Sequence, residues 1–488
     1  MHRRRFLQTA TAATAAISLP ARLYSRSIGS NEKLRVAVIG LHGRGQDHLA
    51  GLSEHVVAIC DCDETILKGC QPERELQRFS DFRELLHSAE IDAVSIATPN
   101  HTHSLIAIAA IQAGKDVYVE KPVSHNVWEG RQLVAAARAH KAIVQCGTQA
   151  RSSPAVREAV QFVRDGSLGR VQFAIGTCFK PRMSIGKLDS PLVIPPTIDY
   201  ELWCGPAEKR DLFRPNLHYD WHWDFNTGCG DMGNQGIHQM DIARWFLGET
   251  KLSRRVLSIG GRLGYEDAGN TPNTQTVLHQ FENTFLIFET RGLPKSKEFH
   301  DPAEWPKNMD SYRGSNVGVI VQCEGGHVLI PSDYSTVTAF DRDGKEVRRW
   351  ENTGDHYANF IQAVQADDRA LLHAEVEEGH LSSSLCHTGS ISHQLGRPAS
   401  LAEIERAVGN HPEFSESIAR MAKHLSDNGI DVAGAPVLTL GADLKMDGAN
   451  EQFLENDAAN LRLTRNYRKP FEITVATNEA RPEGTSTR

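Results

Sequence analysis

The sequence predicts an α/β protein of two parts: an N-terminal doubly wound parallel sheet, then an α+β domain built on a large antiparallel sheet. Three observations carry this. A strand-like run, 33–39 (KLRVAVI), enters Gly40-Leu41-His42-Gly43-Arg44-Gly45, and a helix-length segment and a second apolar run, 55–60, then end at Asp61. Strand-like and helix-like segments go on alternating through 82–86, 91–97, 104–113, 117–119, 127–140 and 142–146, as doubly wound parallel sheets require. Beyond Arg255 the runs 256–263, 276–280, 286–290, 317–323 and 326–330 alternate in strand fashion, which fits an antiparallel sheet.

The first of these is a phosphate cradle. Glycines permit a tight turn and close approach of a pyrophosphate, which then sits on a helix N-terminus. His42 stands where the usual GxGxxG pattern has its second glycine, with Gly43 beside it. Asp61 lies where an acid binds a ribose hydroxyl, and its charge would repel a 2′-phosphate, so NAD is favoured over NADP. Cys60-Asp61-Cys62-Asp63 is explained by alternation at a strand end rather than by a metal.

The stretch 98–122 (TPNHTHSLIAIAAIQAGKDVYVEKP) follows the buried run 91–97. Its helix stops at Gly114, and a short strand, 117–119, delivers Glu120-Lys121-Pro122 at its carboxyl end, where ligands bind to open parallel sheets. A lysine there is placed for chemistry; a surface Glu–Lys ion pair is the alternative.

With 488 residues the chain is long enough for two large domains, and 40% hydrophobic residues suffice for their cores. A net charge of −8 offers no basic field for nucleic acid. The N-terminus, with Arg3-Arg4-Arg5-Phe6-Leu7 before a mild Ala/Thr stretch, reads as a twin-arginine signal and predicts export to the periplasm. That stretch is too short for a membrane span. The nine cysteines contain no CxxC pair and read as buried free thiols, and the histidines show no HExxH spacing, so no metal is expected. The expected organisation is a signal and linker at 1–30, a dinucleotide-binding domain at 31–148, a second domain at 149–440, and an extension at 441–488 ending in a Glu-, Pro- and Thr-rich tail.

Together Gly40-x-x-Gly43-x-Gly45, Asp61, Ala97-Thr98-Pro99-Asn100-His101-x-His103, Ala113-Gly114-Lys115 and Glu120-Lys121-Pro122 resemble the Gfo/Idh/MocA family of glucose–fructose oxidoreductases and inositol dehydrogenases. The resemblance implies a nicotinamide-binding Rossmann domain and a second domain with a large open, mostly antiparallel sheet, through which copies would associate as a homo-oligomer. It implies a cofactor set of Gly40, His42, Gly43, Arg44, Gly45, Asp61, Thr98, Pro99, Asn100, His103, Glu120 and Lys121. It also implies Lys121 beside the reacting hydroxyl, often with a cis peptide before Pro122.

A second constellation follows LHYDWHW at 217–223. Asp231, Asn234, His238, Asp241 and Trp245 are spaced to share one helical stripe. Removing hydride from a secondary alcohol requires a base for the hydroxyl proton, and His238 oriented by Asp241 has that chemistry. A helix cap at Asp231 and a hydrogen-bonded core histidine form the plainer reading. The resemblance implies an acid four residues before the catalytic histidine, where this chain has Asn234, so Lys121 and His238 lead, with Asn234 and Asp241 in support. Lys121, Arg151, Trp203, Asp231, Asn234 and His238 make the expected substrate side. His380 and His387, seven apart on one helical face, approach the cleft or the first domain, or simply pack.

The function expected is hydride transfer between a secondary hydroxyl of a sugar, polyol or sugar acid and a tightly held nicotinamide. Two alternatives stand beside it: a redox-neutral glycosidase or epimerase using the same cofactor, and a non-catalytic sugar- or nucleotide-binding protein.

Overall fold

The computed structural model describes residues 33–71 and 74–473. The expected signal and the last part of the tail lie outside these residues. Strands β1 (Val36–Ile39), β2 (Val56–Cys60), β3 (Gln77–Phe79), β4 (Ala93–Ile96), β5 (Asp116–Val119) and β6 (Val144–Cys146) form one sheet in the order β3-β2-β1-β4-β5-β6. Every pairing in it is parallel. Helices α1 (Arg44–Gly51), α2 (Glu64–Gly69), α3 (Phe82–Ser88), α4 (His103–Gln112) and α5 (Val127–Ala139) connect the strands. β1, β4 and β5 are buried at every position, which is why their sequences are apolar except for Ser95 and Asp116. The strand order reverses between β1 and β4, and the carboxyl ends there open a crevice.

The chain crosses to the second domain through α6 (Pro154–Arg164), whose start is set by the Ser153 side chain accepting from Val156 N and by proline at the first position. β7 (Val171–Phe179), α7 (Tyr200–Cys204), a π-helical turn at Met232–Gly236 and α8 (Ile237–Leu247) follow. Next come β8 (Arg255–Gly261), β9 (Thr274–Gln280), β10 (Phe285–Arg291), β11 (Val317–Cys323), β12 (Gly326–Pro331), β13 (Thr336–Asp341) and β14 (Glu346–Glu351). The last part of the chain contains α9 (His356–Ala366), α10 (Val376–Gln394), β15 (Arg397–Ala399), α11 (Leu401–Val408), α12 (Pro412–Asp427), β16 (Leu438–Leu440), β17 (Leu444–Asp447), β18 (Gln452–Phe453) and α13 (Asp457–Asn460). The main path of the sheet runs β14-β13-β12-β11-β7-β10-β9-β8-β16-β15. It is open at both ends and mostly antiparallel; β7 and β10 run parallel.

The sheet's second face is covered: Ile404, Phe414, Ile418, Met421 and Leu425 of α11 and α12 pack on Ile175, Leu257, Ile259, Leu278 and Ile287. An apolar sheet face needs a cover, and residues 401–427 supply two amphipathic helices for it. The unit at 149–440 is not continuous, because α9 returns to the first domain and buries Phe360, Ala363 and Val364 against Val36 and Tyr118. No boundary falls at 440 either. β17 pairs with β8, Ile473 joins the first domain's core, and Tyr467 donates its hydroxyl to Glu129 at 3.1 Å.

All nine cysteines are free, seven of them buried. Among the described residues no group of three His, Cys, Asp or Glu side chains could hold a metal ion, and no helix is long and apolar enough to cross a membrane.

Candidate active site

A cleft of about 360 Å³ opens at the carboxyl ends of β1, β2 and β4. Gly40, His42, Gly43, Arg44, Asp61, Thr98, Pro99, Asn100, His103, Glu120, Lys121, Trp203 and Asn234 all line it. Gly40 adopts φ +85°, and a Cβ there would stand 2.8 Å from the Ala97 backbone, so the β1–α1 turn passes β4 too closely for any side chain. Gly45 does not line the cleft. A Cβ on it would lie 2.0 Å from the Gly40 carbonyl, so its role is to let α1 start against the turn. α1 starts after Gly43 with no side-chain cap; Gly45 N donates to the His42 carbonyl at 3.1 Å and Gln46 N to the Gly43 carbonyl at 3.0 Å, while Gly43 and Arg44 line the cleft.

Asp61 accepts from Leu41 N at 2.9 Å and Asp63 N at 3.0 Å. Burial raises its pKa above the ordinary carboxylate value, against the lowering effect of those N–H groups. A segment of the second domain lies over this side of the cleft. The Thr197 carbonyl accepts from Glu64 N, Asp199 N donates to the Cys62 carbonyl, and His218 meets Asp63 Oδ2 at 3.0 Å. The His42 ring stacks on that of His218 with centroids 5.4 Å apart. Trp203 is held by His101, whose Nε2 donates to its carbonyl at 2.8 Å.

At the inner end Glu120 is buried and takes hydrogen bonds from Arg44 Nε (3.0 Å), Gln149 Nε2 (3.0 Å) and Lys121 N (3.1 Å), with His48 Nε2 at 3.2 Å. Burial would raise its pKa; the His48 hydrogen bond and the Arg44 charge outweigh that and hold it well below the carboxylate range. Lys121 follows on the same strand end, before a cis Pro122. Its Nζ donates to the Asn234 carbonyl at 2.5 Å. Burial lowers its pKa, with the Glu120 charge opposing and those of Arg44 and Lys180 adding to the fall. Lys121 is thus an amine displaced toward its neutral form, with one hydrogen-bond partner across the domain junction.

A second cavity, of about 600 Å³, continues past Lys121, and His238 lines it. The His238 Nδ1 is buried and has no hydrogen-bond partner among the described residues, and its ring lies 5.8 Å from that of Tyr334. Burial, then the Lys121 charge, lowers its pKa to about 3, so the imidazole is neutral.

The stripe expected at 231–245 forms only in its second half, where His238, Asp241 and Trp245 keep helical spacing on α8. The π-helical turn at Met232–Gly236 inserts extra backbone, so side chains on either side of it no longer share a face. Asp231 is taken by Arg182 in a two-oxygen pair. Asp241 does not orient His238: it pairs with Arg151 Nε at 2.8 Å and accepts from Ser382 Oγ at 2.6 Å. Arg151, expected on the substrate side, is buried between Asp241 and Glu378, and neither Arg151 nor Asp231 lines the two cavities. Three expected roles are thereby corrected for one reason, since a buried charge needs an opposite charge more than it can serve a ligand. His380 and His387 pack on the first domain, against Gly130 and Ser124.

Lys180, Gln235, Gln149 and Tyr334 line the second cavity without having been foreseen. Lys180 had a readable signal, a lysine directly after the nine-residue strand β7. Tyr334 sits at φ +54° in the turn between β12 and β13, a conformation its residue type does not announce.

A crevice of this kind, with its cradle, buried acid and strand-end lysine, defines a dinucleotide-binding α/β protein with a facing substrate domain. Residues 34–148 match the model of the oxidoreductase family with NAD-binding Rossmann fold, and 156–287 match the family's C-terminal alpha/beta domain, together just over half the chain. The chain belongs to the Gfo/Idh/MocA oxidoreductase family. It is 28% identical over 180 residues to levoglucosan dehydrogenase of Pseudarthrobacter phenanthrenivorans, covering 37% of this chain and 39% of that protein. It is 22% identical over 407 residues to inositol 2-dehydrogenase of Rhodococcus jostii, covering 78% of this chain and 95% of that one. The chain thus spans well under half of the first relative and nearly all of the second. Among solved structures, the WlbA dehydrogenase of Bordetella pertussis, in complex with NADH and UDP-GlcNAcA, shares the fold at a TM-score of 0.53 and 18% identity, covering 72% of this chain and 94% of that one.

Proposed function

We propose that this protein is an NAD-dependent oxidoreductase moving hydride between a secondary hydroxyl of a sugar, polyol or sugar acid and a nicotinamide bound in the crevice. The observation that carries the reading is Lys121, a half-buried amine of lowered pKa set where the two cavities meet. Gly40, Gly43, the start of α1 and Asp61 fit a dinucleotide, and the Asp61 carboxylate favours NAD over NADP. When bound, the cofactor supplies the hydride acceptor.

The chain's own residues handle the proton. The neutral Lys121 Nζ accepts the hydroxyl proton, and the Asn234 carbonyl fixes the amine's direction. His238, at about 3, is too weak a base to compete for that proton. It orients the hydroxyl from the wall of the second cavity instead.

Contacts from Thr197, Asp199 and His218 to the rim of the crevice support a cofactor retained between turnovers. The same enclosure favours a second reading, transient oxidation in a redox-neutral glycosidase or epimerase. The test is to denature the purified protein, identify any released nucleotide, and assay a sugar panel at the nicotinamide absorbance. Release of nitrophenol from a nitrophenyl glycoside without reduced cofactor selects the second reading; absence of any nucleotide sinks both.

We also propose export through the twin-arginine pattern at Arg3-Arg4-Arg5, checked by locating the tagged protein after fractionation. Self-association is proposed at β12–β14, where Leu329 and Phe340 are half-buried, with light scattering as its measurement.

A further inference from the structure

The second cavity is unusual in its charge. Its ionisable lining is Arg44, Lys121, Lys180, His238 and Tyr334, with no aspartate or glutamate. Arg44 is already answered by Glu120 and by Asp47 at 2.8 Å. Lys121 lies next to Glu120 and serves the reacting hydroxyl. Lys180 is different: among the described residues no carboxylate lies within ion-pair distance of it, and Nζ donates to Gln235 Oε1 at 3.2 Å. Gln235 is fixed in turn by Tyr334, its Nε2 donating to the hydroxyl at 3.3 Å, and Gln239 Nε2 donates to the same hydroxyl at 3.1 Å.

The π-helical turn sets the spacing. Asn234 receives Lys121 on one side and Gln235 receives Lys180 on the next, so the two lysine side chains flank one turn of backbone with His238 just after it. The Lys180 ammonium therefore faces a half-enclosed space with no carboxylate in its lining, where a charge interacts more strongly than in bulk water. A neutral sugar would leave that charge unanswered, whereas a substrate anion would pair with it.

Resting on the oxidoreductase reading, we propose that Lys180 is the anchor for a carboxylate on the substrate, so that the protein prefers sugar acids to neutral sugars and polyols. Lys121 then meets the reacting hydroxyl while Lys180 holds the distal acid group, and the distance between them selects which hydroxyl is presented. A single ammonium acts here as a point charge, positioned by Gln235 and Tyr334.

The test compares matched pairs that differ at one carbon, D-glucuronate with D-glucose and D-galacturonate with D-galactose, using the protein with whatever nucleotide it carries. Turnover is followed at the nicotinamide absorbance and binding by calorimetry. The expected result is a kcat/KM at least about ten-fold higher for a uronate than for its neutral partner. Lys180→Gln should remove that preference mainly through KM, and Lys180→Arg should retain more of it. Equal or better turnover of the neutral sugars, or an equal loss on both in Lys180→Gln, overturns the anchor and leaves the oxidoreductase reading standing. So does a preference for D-glucose 6-phosphate over D-glucuronate. Uronate binding that depends on Lys180, without turnover of any compound, supports the anchor and sinks the oxidoreductase. Neither binding nor turnover of any uronate overturns the anchor.

Discussion

The two walls of the cleft were built by different rules. On the Rossmann wall, residues drawn from four separate stretches of sequence arrive at one cavity, because a parallel sheet places all its strand ends on one edge. On the facing wall, five residues at helical spacing divide: Asp231 to Arg182, Asn234 to the crevice, His238 to the second cavity, and Asp241 and Trp245 to Arg151. Sheet topology constrains direction at long range, whereas a helical stripe holds only while the helix keeps its period. One π-helical turn ends it.

The contrast can be tested by breaking each wall in turn. Lys121→Met should lower kcat by about 10³- to 10⁴-fold while released nucleotide per protein stays near the wild-type level. If nucleotide is lost together with activity, the lysine is part of the cofactor seat rather than the proton acceptor. Its lowered pKa also sets a pH dependence. Hydroxyl oxidation needs the neutral amine, so kcat/KM should rise with pH to a plateau reached below the ordinary lysine value of 10.5, and fall as the amine protonates.

Arg151→Met should act on stability instead, because it strands the buried Asp241 carboxylate. Removing one partner of such a pair costs about 3–5 kcal/mol, read as a drop in denaturation midpoint. A variant of normal stability whose loss lies in kcat would return Arg151 and Asp241 to the site. His238→Asn should lower kcat by about 10²-fold, less than the change at Lys121, because the imidazole orients the hydroxyl rather than taking its proton. Asp61→Ser should narrow discrimination between NAD and NADP by about ten-fold, measured by nucleotide titration of stripped protein.

A last effect is spread over both domains rather than confined to the cleft. His101 and His356 are lowered by burial to about 4, and His238, His279 and His387 to about 3. Their unfolded counterparts protonate near 6.5, so the unfolded chain takes up protons that the folded one refuses. Stability from these neutral histidines is therefore complete above about 6.5 and declines as pH falls toward 4 and then 3. A melting temperature that is flat between pH 6.5 and 4 would count against it.

The sequence by itself determined the parallel sheet, the glycine turn, Asp61, and Lys121 at a strand end, since each rests on local pattern and on spacing along one strand–helix unit. It also contained, unread, the lysine after β7 and the amphipathic helices at 401–427. Tertiary structure alone decided the rest. Arg151 met Asp241 across 90 residues of chain and Arg182 met Asp231, because buried charges find their opposites wherever the fold brings them. α9 returned to the first domain because its apolar face fits Val36 and Tyr118. The π-helical turn, set by how glycines 233 and 236 pack against Cys229 and Phe288, decided which side chains face the cleft.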